Sequence, residues 1–234
     1  MYRRQFSISV LSLAAGSVVF LPRGARSQSL GELAPAQLTQ GLRLALERGA
    51  GLAVDLLGQP GGFWNNPQVR IALPPSLDKA AKLLRKLGQS RRIDELQQAM
   101  NQAAEQAVPQ SRDLLIGAVR SMSVTDAKTL LTGGDTSVTQ FFAEKTRQAL
   151  SDKLLPVVTQ ATERVELAEK YNQIARKAVG MGLLKEDESR IETYVTGKTL
   201  DGLYFMVAEQ EKKIRQDPVG TGSALLQKVF GALK

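Results

Sequence analysis

The feature that most restricts the fold of this chain is an apolar stripe at helical spacing, ended again and again by glycine or proline. Leu38, Leu42, Ala45, Leu46, Gly49, Leu52, Ala53 and Leu56 recur at intervals of three and four, which lines them along one face of a helix beginning near Pro35. Gly58, Pro60, Gly61 and Gly62 stop it, because glycine unwinds a helix end and proline cannot continue one. Ser76 to Leu87 reads as a short amphipathic helix closed by Gly88. Ser90 opens the next, with Ile93, Leu96, Met100, Ala103 and Ala107 on its apolar face as far as Pro109. Ser111 is placed to cap a helix through Leu114, Leu115, Ala118 and Val119. Ser123 to Asp126, "SVTD", has the form of a capping box with Asp in place of Glu, and opens a short helix that stops at Gly133-Gly134.

Asp135, Thr136 or Ser137 then caps a helix bearing Val138, Phe141, Phe142 and Ala149. Ser151-Asp152 predicts a restart, with Pro156 in the first turn or at a kink. That helix continues through Val165, Leu167, Tyr171, Ile174 and Ala178 to the Gly180–Gly182 stop. Residues 187–217 form the last long helical region, whose Glu209–Lys213 and Glu211–Arg215 spacings suit ion pairs. A final helix starts at about Ser223. Only 5% of residues are aromatic against 43% hydrophobic, so the core must be mostly Leu, Ala and Val. Connections are short and no linker separates two compositions. The expectation is a single all-α domain of eight to ten helices over residues 28–234.

Phe63 to Pro75, "FWNNPQVRIALPP", breaks the helical pattern. Val69, Ile71 and Leu73 alternate with Gln68, Arg70 and Ala72, which is strand spacing, and predicts an extended segment around 66–74. Asn66 precedes Pro67 and is pushed towards extended geometry. A lone extended segment needs partners for its backbone groups. It lies in a groove between helices, capped by Asn side chains, or it hairpins with a small partner strand elsewhere. Phe63 and Trp64 are expected to plug the core beside it. Arg70 points away from Val69 and Ile71, either to solvent or to a helix carboxylate such as Asp126, Asp135 or Asp201. Trp64, Asn65, Asn66 and Arg70 are thus candidate ligand contacts, in a cleft also bounded by the Asp135 turn.

Chemistry is bounded chiefly by absence. The chain has no His and no Cys, which removes His-based triads, thiolate nucleophiles and the common zinc sites. Catalysis would have to use carboxylates, Lys, Tyr, Ser or Thr. Lys198 and Asp201 are three apart and can pair on one face. With Glu209 and Glu211 they could hold a hard cation or serve as acid and base, or they form structural ion pairs between packed helices. "TGGDTSVTQFF" leaves free N–H groups at a helix start that could hold an anion, but Asp135 would itself fill that cap. Arg91-Arg92 and Glu211 to Arg215, "EKKIR", lack the stacking aromatics of a nucleic-acid surface. No cofactor is implied.

Residues 1–27 have the form of an export signal. Arg3 and Arg4 precede an apolar run, Ile8 to Leu21, of signal-peptide length, and Ala25-Arg26-Ser27 offers a cleavage site. "RRQF" suits either a Sec or a twin-arginine signal. No Cys follows, so a lipid anchor is not expected. Cleavage would remove four of the 31 basic residues, leaving 27 against 23 acidic ones, a net charge of +4 rather than +8. The expected mature protein is a periplasmic or exported one with no membrane span, meeting an envelope protein, a lipid or a cell-wall component rather than nucleic acid.

Three blocks together carry a family resemblance: "GGFWNNPQVRIALP", "MSVTDAKTLLTGGDTSVTQFF" and "YVTGKTLDGLYFMVAEQEKKIRQDPVGTGSALLQKVFG". They resemble the exported bacterial proteins grouped as domain of unknown function 4197, from roughly Leu30 to the C-terminus and in the same order. The resemblance implies an all-helical exported protein, and supplies neither a reaction nor catalytic residues.

Overall fold

The computed structural model describes residues 35–231 except 87, 89, 135–136, 164–165, 181, 183–189, 218 and 221–222. The predicted signal segment, 1–27, and Asp135 lie outside the described residues. Nine α-helices follow in order among those described: α1 Pro35–Leu57, α2 Pro75–Lys86, α3 Ser90–Ala107, α4 Arg112–Arg120, α5 Val124–Thr132, α6 Ser137–Thr162, α7 Glu166–Gly180, α8 Ile191–Gln216 and α9 Ala224–Gly231. A 3-10 turn, Val108–Ser111, joins α3 to α4. No strand occurs among the described residues, and the fold is compact and all-α.

Helix α8 is the centre of the packing. It lies against α1 and α6, α3 packs on α6 and also touches α8, and α4, α5 and α9 surround α1. Its buried residues include Ile191, Val195, Leu200, Leu203, Tyr204, Met206, Val207 and Ile214, and they occupy most of its circumference, as befits a helix enclosed by others. Polar groups buried with it find partners inside. The Tyr204 hydroxyl lies 3.0 Å from Thr146 Oγ1, and burial pushes its phenol above the ordinary value despite that bond. Glu192 accepts from Asn172 Nδ2 at 2.8 and 3.1 Å, while Asn172 Oδ1 accepts from Ile191 N–H at 2.8 Å and so caps α8 from α7.

Several local expectations hold, and the departures have physical causes. The Ser123–Asp126 capping box forms in both directions. Ser111 does not cap α4: its hydroxyl donates back to Val108 C=O at 2.6 Å and closes the 3-10 turn instead. No restart occurs at Ser151-Asp152. Helix α6 runs unbroken through Pro156, with Leu150, Leu154 and Val158 all fully buried. Proline removes one backbone bond and crowds the preceding turn, but three core side chains straddling it hold the helix together. Glu211 pairs with Arg215 as spaced, whereas Glu209 and Lys213 make no ion pair among the described residues.

Candidate functional site

Between α1 and α2 the chain makes consecutive turns over residues 60–65 and 67–69 and only then straightens over 70–74, so the extended segment is shorter than the predicted 66–74. Proline and asparagine cause the turns. The Asn66 side-chain oxygen accepts from Gln68 N–H at 3.1 Å, and Asn66 C=O accepts from the N–H groups of Val69 and Arg70 at 3.2 and 2.9 Å. Beyond that point the expected alternation is real: Val69, Ile71 and Leu73 are buried, Arg70 and Ala72 exposed.

This strut has no partner strand among the described residues. Helix α3 takes that part with side chains one turn apart. Asn101, fully buried, accepts from Ile71 N–H at 2.8 Å through Oδ1 and donates to Ile71 C=O at 3.0 Å through Nδ2. Gln97 adds a 3.4 Å bond to the same carbonyl. Glu105 receives the turn before it: Gly61 N–H donates to Oε2 at 3.0 Å, and Phe63 and Trp64 N–H donate to Oε1 at 3.0 and 3.1 Å. From α8, Tyr194 donates to Ala72 C=O at 3.2 Å. The lone segment thus lies in a groove between helices, capped by Asn side chains, as the first of the two predicted arrangements has it: Asn101 serves Ile71 from α3, and Asn66 serves Gln68 from within the loop.

Two glycines make this seating possible. Gly61 has φ +83°, which side-chain-bearing residues rarely adopt. A Cβ on Gly202 of α8 would stand 3.0 Å from Phe63 Cε1 and 3.2 Å from Val69 Cβ, so the bare backbone lets α8 reach the loop.

Phe63 and Trp64 do not share one fate. Phe63 is fully buried and plugs the core, but Trp64 is only half-buried. Its indole, with Asn65, Gly58, Pro60 and Gly61, forms one wall of an open cleft of about 560 Å³. The other wall is α3, through Gln98, Gln102, Glu105 and Gln106. Arg70 makes no ion pair with Asp126 or Asp201. Its guanidinium carbon sits 3.7 Å from the centre of the indole, a cation–π stack that covers one ring face from outside the cleft. The stack wins because the turn at 66–69 brings Arg70 back beside Trp64.

The other candidates lie apart. Arg70 also borders a second cleft, of about 430 Å³, with Lys198, Asp201 and Tyr194, so the structure divides Trp64 and Lys198 between two clefts. Lys198 is half-exposed, with Asp201 3.6 Å away at the predicted three-residue spacing. Asp201 also accepts from Arg147 at 2.8 Å. Asp126 belongs to its own cap, where the Ser123 N–H and hydroxyl hold its carboxyl below the ordinary range. Among the described residues no three His, Cys, Asp or Glu gather as metal ligands, and no helix is long and apolar enough to cross a membrane.

Nothing within the loop's own sequence points to Glu105, Asn101, Gln98, Gln102 or Gln106. Their signal is nevertheless present in "QQAMNQAAEQA". Polar pairs recur every four residues there, Gln97-Gln98, Asn101-Gln102 and Glu105-Gln106, which sets two parallel rows along one helix. The first row holds the loop, and the second lines the cleft.

The site therefore belongs to a compact all-helical protein that presents one aromatic ring and uncharged amides, with its deepest carboxylate already committed to the backbone. The chain belongs to the family described as "Protein of unknown function (DUF4197)", whose model matches residues 32–231. No curated protein and no solved structure matches it.

Proposed function

We propose that this protein is a non-enzymatic binding module of the bacterial envelope, exported by its N-terminal segment, which holds its ligand in the cleft between Trp64 and α3. The observation that carries this reading is the partly exposed Trp64, the only tryptophan of the chain, propped by Arg70 at the wall of an open cleft. A large ring kept partly in water needs a reason, because each Å² of apolar area left exposed forgoes roughly 25 cal/mol of stabilisation. The one carboxylate lining the cleft, Glu105, accepts three backbone N–H bonds, which suits a structural role better than proton transfer. The sequence signal of residues 1–27 and the absence of nucleic-acid features favour an envelope ligand.

Emission from Trp64 tests this directly. The purified protein is titrated with cell-wall sacculi, phospholipid vesicles and soluble periplasmic extract, and its sedimentation with each is compared for wild type, Trp64→Ala and Arg70→Ala. The expected result is saturable binding to one fraction with a change in emission, lost in Trp64→Ala and weakened in Arg70→Ala. Unchanged emission with all three fractions, or equal binding by Trp64→Ala, overturns the proposal.

A further inference from the structure

We infer that the Trp64 cleft takes an uncharged, hydroxyl-bearing sugar chain, laid along α3 with one ring against the indole. This rests on the binding-module reading and specifies its ligand. Gln98, Gln102 and Gln106 are all exposed and line the cleft. None of their amides has a hydrogen-bond partner among the described residues. Four residues of helix advance roughly 6 Å, about the length of one pyranose unit, so the three amides form a row with the repeat of a polysaccharide. Each amide donates twice and accepts at its oxygen, and a sugar hydroxyl likewise donates and accepts. The pairing is therefore mutual at every step.

The competing ligands fit the lining less well. No Lys or Arg lines the cleft, so a phosphate or anionic lipid headgroup would be buried there without a countercharge. The one carboxylate, Glu105, is only 6% exposed and already accepts three backbone bonds, which leaves little for a cation. Apart from Trp64 the lining offers Pro60 and two glycines but no apolar socket for an acyl tail or a peptide's anchoring side chain. What remains suits a sugar: C–H faces to rest on the indole and hydroxyls to meet the amides. Arg70, stacked at 3.7 Å outside the cleft, acts as a positioning residue for the ring.

The test uses Trp64 emission with tetramers of glucose and of N-acetylglucosamine, against an uncharged Ser- and Asn-containing peptide and anionic phospholipid vesicles. A saturable shift with either sugar is expected. Each of Gln98→Ala, Gln102→Ala and Gln106→Ala should weaken it about 2- to 10-fold, the effect of one or two hydrogen bonds, and the triple variant should abolish it. These side chains are exposed and unpartnered, so circular dichroism and thermal midpoint should not change. The inference is overturned if neither sugar moves the emission, if the peptide or vesicles do so instead, or if the glutamine variants bind sugar as wild type does. Binding to an envelope fraction without binding to either sugar sinks this inference alone. Failure with every fraction sinks the binding-module reading as well.

Discussion

Replacing Glu105 with alanine removes the acceptor of three backbone N–H groups at once. Phe63 N–H is buried and makes no other hydrogen bond among the described residues, whereas Gly61 and Trp64 N–H are only partly buried beside an open cleft. A buried donor left without a partner costs about 1–3 kcal/mol, and a bond to a charged acceptor is worth about 1.5–3 kcal/mol. Water entering from the cleft can serve Gly61 and Trp64, so their losses lie at the low end, and the desolvation of the Glu105 charge is recovered. The net expectation for Glu105→Ala is a destabilisation of about 2–4 kcal/mol, from a total stability of order 5–15 kcal/mol for a native protein. In a chain of this size 1 kcal/mol moves Tm by about 2–4 °C, so the midpoint should fall by roughly 4–16 °C. Glu105→Gln keeps a carbonyl oxygen for Phe63 and Trp64 but turns its NH2 towards Gly61, and should cost about half as much. Urea unfolding followed by far-UV circular dichroism and by Trp64 emission measures both variants. The emission should also report a more solvated indole in Glu105→Ala before global unfolding begins. If Glu105→Ala lies within about 0.5 kcal/mol of wild type, or Glu105→Gln is as damaging as alanine, the claim that this carboxylate holds the loop fails.

Asn101→Ala should cost about 2–4 kcal/mol in the same urea assay, because Ile71 N–H loses its side-chain acceptor inside the core and Ile71 C=O keeps only the 3.4 Å bond from Gln97. Asn101→Asp, which keeps the acceptor but sets a carboxylate against Ile71 C=O, should be no better than alanine. Gly202→Ala gains about 1 kcal/mol of helix propensity but brings a methyl to 3.0 Å from Phe63, an overpacking cost of about 1–3 kcal/mol. The variant should thus be neutral to 2 kcal/mol less stable, and a clear stabilisation would refute the tight seating of the loop. Burial raises the Glu211 pKa above its ordinary 4.5, and Arg215 offsets this only in part. The folded state therefore binds the Glu211 proton more tightly than the unfolded chain. This group's contribution falls as pH rises from about 4.5 through the folded pKa, and is constant above it. Stability curves from pH 4 to 8 should show that decline in wild type and lack it in Glu211→Gln; identical curves would refute it.

Local rules made most of the helices legible. Glycine and proline stops, the Ser123–Asp126 box and three- and four-residue apolar spacing locate α1 to α5 and α8 within a few residues, because each depends on neighbours close in the chain. The error at Ser151-Asp152 has the opposite origin. A cap-like Ser-Asp and a nearby proline imply a break only where nothing else holds the helix. Core contacts of Leu150, Leu154 and Val158 hold it. Trp64 was recognisable as the odd residue in a helical sequence, yet its partial exposure and its separation from Phe63 follow from where the 60–69 turns lie against α3.

The sequence by itself determined the helical class, the compatible chemistries and the presence of one segment that had to be held by something other than helix. The stripes, stops and missing His and Cys are properties of the chain alone. Only the tertiary structure decided what holds the segment and where a cleft opens beside it. Asn101 and Glu105 are 30 or more residues from the backbone groups they serve, and an i,i+4 row of glutamines looks in sequence like any solvated helix face. It lines a cleft because Trp64 faces it across a distance that only packing sets. Arg70 shows the same limit: its charge invited a carboxylate partner, and the turn before it gave it an indole.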